Sequence, residues 1–152
     1  LFRSAGIYSL YATKTLTTGE GGILVSKNED LIEFSKSFKN YGKPNNLIYG
    51  KNYRMNEFTA ALGCIQIDRL KDIVEWRNDY VQKLLPKFSN YLKLPDKMIS
   101  GYYKFIVFDE IKNSTGKVYD IGCHKIFKKN LVLENTDWVN KNHWCVPTYY
   151  KG

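Results

Sequence analysis

The chain has 152 residues, 43% of them hydrophobic and 15% aromatic, which excludes a disordered protein because such a composition can bury a substantial core. Its formal net charge is +8, but the lysines and arginines are spread along the chain, which favours an anionic metabolite over nucleic acid as a partner. No apolar run approaches the roughly 20 residues of a membrane span, so we expect a globular cytoplasmic protein with no membrane partner.

Two strands and a helix are predicted in the first third of the chain. Residues 7–12 are rich in β-forming side chains and predict a strand, as does the apolar run at 23–25. Asn28 is an expected N-cap, and apolar residues at helical spacing follow as far as Phe38. The polar residues 43–51 then predict a loop.

A long helix is predicted over residues 56–88, where apolar side chains recur at helical spacing with Gly63 as the internal glycine. A helix of this length indicates a connection between two lobes. A strand over 102–108 and a short helix over 136–142 are predicted beyond it. The long helix therefore predicts a chain of two lobes.

Lys14 lies between the first predicted strand and a glycine-rich turn. A lysine amine that loses its proton can attack a carbonyl and form a Schiff base. Ser9, the threonines within 13–18 and the backbone of Gly19–Gly22 supply hydroxyl and N–H groups of the kind that bind phosphate. Spacing alone nevertheless favours a simpler interpretation, a hairpin whose lysine is solvated.

Two longer motifs resemble a known family. The segment SLYATKTLTTGEGGILVS resembles the lysine segment of the DegT/DnrJ/EryC1/StrS family of pyridoxal-phosphate (PLP) sugar aminotransferases. The segment GKNYRMNEFTAALGCIQIDRL resembles the Gly-x-Asn-Tyr-Arg-Met segment that opens a long helix in that family. Later segments, GYYKFIVF, GKVYDIGCHKIF and DWVNKNHWCVPTYY, resemble its small-domain elements, so the resemblance covers nearly the whole chain in order.

The resemblance implies a fold as well as a chemistry. It implies an α/β architecture, a partial PLP-transferase fold of type I that holds the end of the large-domain sheet, a long linking helix and a small α+β C-terminal domain. Residues 1–55 would be a remnant of the PLP-binding large domain and residues 56–88 the interdomain helix. Residues 89–152 would form a small, incomplete C-terminal domain.

Site residues follow from the same resemblance. Lys14 would hold PLP as a Schiff base and then act as the base that moves a proton between substrate and cofactor. Ser9 would bind the cofactor phosphate, and Asn52 would reach the phosphate of the neighbouring subunit in a homodimer. Tyr53 and Arg54 would orient the Asn52 loop. A lysine at this position favours aminotransferases over the dehydratase relatives that carry histidine.

The implied reaction transfers an amino group, commonly from glutamate, to a keto sugar of a nucleotide sugar, in glycan or surface-polysaccharide biosynthesis. Other cofactor-binding residues of the family lie upstream of the lysine. We therefore expect this chain to be a fragment that by itself neither binds PLP tightly nor transaminates. Two alternatives stay open: a non-catalytic interaction module that retains dimer contacts, and a basic domain whose affinity for nucleic acid falls steeply with salt.

Cysteine and histidine usage indicates no metal site. Cys123 and His124, with His143 and Cys145, could supply four zinc ligands, but adjacent Cys-His is poor geometry for one metal ion. The three widely spaced cysteines, which include Cys64, predict buried or idle thiols rather than disulfides.

Overall fold

The computed structural model describes residues 4–151, and the chain divides into two compact units within one long helix. Unit 1 is Leu1–Leu70 and unit 2 is Lys71–Gly152. The helix, α2, runs Glu57–Leu84 and contributes residues to both units. The three-part division drawn from the sequence stays a prediction.

A two-stranded antiparallel sheet opens unit 1. Strand β1 spans Ala5–Ser9 and pairs along its length with β2, Gly22–Ser26. The strand predicted over 7–12 therefore ends three residues early. It ends there because the Leu10 carbonyl accepts a hydrogen bond from the Thr18 N–H (2.9 Å), which turns the intervening residues out of the sheet into a loop.

Helix α1, Glu29–Phe38, begins where the sequence predicts. The Asn28 Oδ1 accepts a hydrogen bond from the Leu31 N–H (3.0 Å), and acidic residues follow in the first turn, where the helix dipole favours negative charge. Beyond the last turn the Gly42 N–H donates to the Ser37 carbonyl (2.8 Å) with φ +82°, a left-handed conformation that closes the helix end.

Helix α2 is shorter than predicted. Spacing predicts a helix over 56–88, but the α-helical hydrogen bonds end at Leu84 and a 3-10 turn, Leu85–Lys87, follows. Pro86 explains the change, because it has no N–H to donate and its ring disfavours a continued α-helix. No helix in the described part of the chain is both long enough and apolar enough to cross a membrane.

The core of unit 2 forms around a second antiparallel pair. Strand β3, Phe105–Val107, pairs with β4, Trp144–Val146. The predicted strand over 102–108 is too long, because Tyr102 has φ +37° and cannot continue an extended strand. The buried core side chains come from α2 and these two strands: Val81, Phe105, Val107 and Val146.

Two helices lie between β3 and β4 in the chain. Helix α3 spans only Cys123–Ile126, and α4 spans Glu134–Asn142. The helix predicted over 136–142 therefore begins two residues earlier than expected. Strand β4 was not predicted, because its three residues are too few to show an alternating pattern.

The Asp109 carboxylate joins two loops of unit 2. It accepts hydrogen bonds from the Ser89 N–H (2.7 Å), the Ser89 hydroxyl (2.9 Å) and the Asn90 N–H (3.0 Å). These bonds, chiefly those from Asn90 and the Ser89 side chain, hold the pKa of Asp109 below its usual value. The carboxylate therefore stabilises the fold in its ionised form.

We expect the stability of the Asp109→Asn variant to depend less on pH than the stability of wild type. A carboxyl whose pKa is lowered by folding contributes its full stabilisation above the unfolded pKa of about 3.9 and loses it as the pH falls through the folded value. The variant should melt at a lower temperature than wild type at pH 7, and the gap should narrow below about pH 4. Thermal melts from pH 7 to pH 2.5 measure this, and a gap that stays constant would contradict it.

Candidate active site

Lys14 lies on a loop, residues 11–17, whose two ends are held together. At the base, the Thr18 N–H donates to the Leu10 carbonyl (2.9 Å) and the Leu10 N–H donates to the Gly21 carbonyl (2.9 Å). Leu10 and Thr18 are only 4% and 6% exposed. Lys14 itself is half-buried, and its N–H donates to the Tyr11 carbonyl (2.9 Å) in a tight turn. The lysine is therefore carried on an anchored turn of the backbone.

Two threonine hydroxyls maintain this loop. The Thr17 hydroxyl donates to the Leu10 carbonyl (3.1 Å) and accepts from the Gly19 N–H (3.0 Å). The Thr18 hydroxyl donates to the Glu20 carbonyl (2.6 Å). The sequence suggested these hydroxyls as phosphate donors, whereas in the structure both donate to backbone carbonyls, those of Leu10 and Glu20.

The glycine-rich turn brings the two sequence motifs together. Gly21 has φ +139°, and a Cβ atom there would lie 3.0 Å from the Thr18 Oγ1 and 3.3 Å from the Met55 Cε. Met55 belongs to the second motif and Gly21 to the first. The two segments also line one cavity of about 440 Å³, whose walls are Glu20, Gly21, Gly22, Tyr53, Arg54, Met55, Asn56 and Thr59.

Asn52 lies on the loop that follows α1. The Lys51 N–H donates to the Phe38 carbonyl (2.7 Å), and Asn52 forms a β-bridge with Asn40, so the loop returns to the end of the helix. The Arg54 Nε donates to the Asn52 Oδ1 (2.9 Å). This bond orients the Asn52 amide group.

Ser9 is the last residue of β1 and stands where the lysine loop begins. Its hydroxyl accepts a hydrogen bond from the Tyr11 N–H (3.4 Å), and its side chain is exposed. Ser9 and Lys14 therefore lie on one continuous strand-and-loop segment, and Asn52 lies on a second loop of the same unit. The functions of these three residues stay predictions.

Ring nitrogens of His124 and His143 in unit 2 lie close to polar groups of neighbouring residues. The His143 Nε2 accepts from the Val118 N–H (2.9 Å), and its Nδ1 donates to the Val139 carbonyl (2.6 Å). The buried His124 has its Nε2 3.4 Å from the Asp137 carboxylate. Within the part of the chain that the structure describes, no group of three or more His, Cys, Asp or Glu side chains is arranged for a metal ion.

The cysteines differ in exposure. Cys145 is buried in β4, which raises the pKa of its thiol, while Cys64 and Cys123 are exposed. Burial disfavours the thiolate form, so Cys145 is an unreactive core residue.

Sequence reasoning missed one contact of this site. A Cβ atom on Gly63 of α2 would lie 3.1 Å from the Thr18 Cγ2, so the helix meets the base of the lysine loop at its glycine. The sequence signal for this contact was a glycine inside a 28-residue helix, where glycine lowers helix stability by about 1 kcal/mol relative to alanine.

Comparison with known proteins identifies a family and several relatives. Residues 2–112 match the model of the DegT/DnrJ/EryC1/StrS aminotransferase family. GDP-perosamine synthase of Vibrio cholerae is 31% identical over 90 residues, which cover 53% of this chain and 23% of that protein. UDP-4-amino-4,6-dideoxy-N-acetyl-beta-L-altrosamine transaminase of Campylobacter jejuni is 28% identical over 122 residues, 76% of this chain and 30% of that protein.

A solved structure supports the fold. An aminotransferase of Bacillus cereus described as PLP-dependent is 25% identical and superposes with a TM-score of 0.75 over 97% of this chain and 48% of its own. The predicted fold class, an α/β partial PLP-transferase fold, is confirmed. The chain spans about a quarter to a third of the two curated relatives and about half of the solved structure.

Proposed function

Because this chain belongs to the DegT/DnrJ/EryC1/StrS aminotransferase family, we propose that its protein is a PLP-dependent aminotransferase that acts on the keto sugar of a nucleotide sugar. The observation that carries this proposal is the anchored loop of Lys14 within the segment that matches the family. The relatives named for GDP- and UDP-linked sugars support a nucleotide-sugar substrate.

The donor set of unit 1 fits PLP. The Lys14 side chain offers a primary amine on an anchored turn, and a primary amine is the group that would hold the cofactor covalently. Ser9 offers a hydroxyl and Asn52 an amide, and both groups donate hydrogen bonds to phosphate oxygens. The bound cofactor supplies an electron-accepting ring.

In this proposal Lys14 has two tasks and Ser9 has one. Lys14 holds the cofactor, and its Nζ then takes and returns the proton that moves on the substrate carbon. Ser9 fixes the phosphate close to the lysine loop. The closed base of that loop restricts the backbone of Lys14, so the amine stays where proton transfer needs it.

Asn52 extends the site to a second subunit of a homodimer in this proposal. The Arg54 Nε bonds to the Asn52 Oδ1, and this leaves the amide nitrogen on the side away from the arginine, as a donor for phosphate. Arg54 also lies 5.5 Å from the ring centroid of Tyr41, which restricts the guanidinium. Arg54 therefore acts on the cofactor through Asn52.

The charge of the chain suits the proposed substrate. A nucleoside diphosphate carries negative charge on two phosphates, and the formal charge of +8 raises the local concentration of such an anion. We further propose glutamate as the amino donor and surface polysaccharide or a similar glycan as the destination of the amino sugar.

An assay of the full-length gene product tests this function. With PLP, glutamate and a nucleoside-diphosphate keto sugar, we expect 2-oxoglutarate to accumulate beyond one equivalent per subunit only when the sugar is present. Before glutamate is added, lysine-bound PLP should give its absorbance band. Failure of the loaded protein to form either would contradict the proposal. The 152-residue chain by itself is expected to show neither activity nor tight PLP binding.

A further inference from the structure

We propose that Thr18 is a positioning residue for Lys14, and that Gly63 of α2 provides the space that the Thr18 methyl group requires. This inference rests on the proposed function for the role of Lys14. It concerns a contact between the lysine loop and a helix, the Thr18–Gly63 contact, which lies wholly within unit 1.

Thr18 is bonded on several sides. Its N–H donates to the Leu10 carbonyl (2.9 Å) and closes the loop, and its hydroxyl donates to the Glu20 carbonyl (2.6 Å) and fixes the following turn. A Cβ atom on Gly21 would lie 3.0 Å from the Thr18 hydroxyl oxygen. With only 6% of its surface exposed, Thr18 has little freedom to move alone.

The methyl group of Thr18 faces the helix. A Cβ atom on Gly63 would lie 3.1 Å from the Thr18 Cγ2, closer than ordinary van der Waals contact. A methyl group at residue 63 would therefore push Thr18 away from α2. Since Thr18 closes the loop through Leu10, displacement of Thr18 moves the base of the segment that carries Lys14.

Glycine at position 63 is otherwise unfavourable. The position is in the interior of a 28-residue helix, where alanine is the preferred residue and glycine the least favourable after proline. Substitution by alanine should thus favour the helix itself while it crowds the lysine loop. This opposition separates an effect on the Lys14 loop from a general loss of helix stability.

A size-exchange experiment in the full-length gene product tests the contact. Gly63→Ala adds the methyl group that collides with Thr18, and Thr18→Ser removes the Cγ2 that it meets while it keeps the hydroxyl. We expect Gly63→Ala to speed amide hydrogen exchange in residues 11–17 and to weaken PLP binding about tenfold, as overpacking does. The double variant should restore both quantities toward wild type. Cys64→Ala, at an exposed neighbouring position, is the control and should change neither.

Hydrogen exchange and PLP binding distinguish a failure of the Thr18–Gly63 inference from a failure of the proposed function. Hydrogen exchange is measured on protein without added cofactor, and PLP binding is measured by the absorbance of the loaded protein. If the wild-type protein binds no PLP, the proposed function fails. Hydrogen exchange in residues 11–17 then tests by itself whether the Thr18–Gly63 contact positions the loop. Failure of the double variant to restore exchange in the loop would overturn the inference, as would faster exchange spread evenly along α2.

Discussion

Lys14→Ala in the full-length gene product is expected to lower kcat for amino transfer by about 10³-fold or more and to remove the absorbance band of lysine-bound PLP. In the proposed mechanism the amine both holds the cofactor and moves the proton, so one substitution removes two tasks. The remainder of the loop should stay folded, because the hydrogen bonds that close it come from the backbone and from the Thr17 hydroxyl.

Two further variants separate chemistry from charge. Lys14→Arg keeps the positive charge but has no primary amine, so we expect the same losses as with alanine. Lys27→Ala removes an exposed lysine just beyond β2 and should leave both kcat and the absorbance band unchanged. Spectra of the purified proteins and initial rates measure these outcomes. A Lys14→Arg protein with wild-type activity would show that the lysine is not the catalytic amine.

The elements with strong local signals were predicted well. The N-cap at Asn28 places the start of α1, because a side-chain oxygen that satisfies a helix N–H is a local feature of the sequence. Element ends were predicted less well where a distant residue decides them. The early end of β1 depends on the Thr18 N–H, nine residues beyond the last residue of the strand, and the pattern of side chains within the strand does not indicate that bond.

For the candidate site, residue types were easier to predict than contacts. The motifs placed Lys14 after a strand, and the structure has it on the loop that follows β1. The hydroxyls of Thr17 and Thr18 illustrate the limit, since a sequence cannot show whether a hydroxyl bonds to a ligand or to its own loop. Contacts between motifs, such as Met55 beside Gly21, are set by tertiary packing and leave no local pattern.

Gly42→Ala is expected to destabilise unit 1 by about 3–5 kcal/mol, through a left-handed backbone and a steric clash that act together. Gly42 has φ +82°, and a Cβ atom there would overlap the Ile48 carbonyl oxygen, a backbone atom that cannot move without opening the loop. Gly19→Ala is the matched control, because Gly19 has φ +80° but nothing within 4 Å of the added atom. Gly19→Ala should lower the free energy of unfolding by only about 1–2 kcal/mol. The loop that begins at Gly42 leads into Asn52, the proposed phosphate donor. Gly42→Ala should therefore also weaken PLP binding. Urea unfolding and PLP titration of the full-length gene product measure both effects, and equal losses of stability in the two variants would show that the clash with Ile48 does not occur.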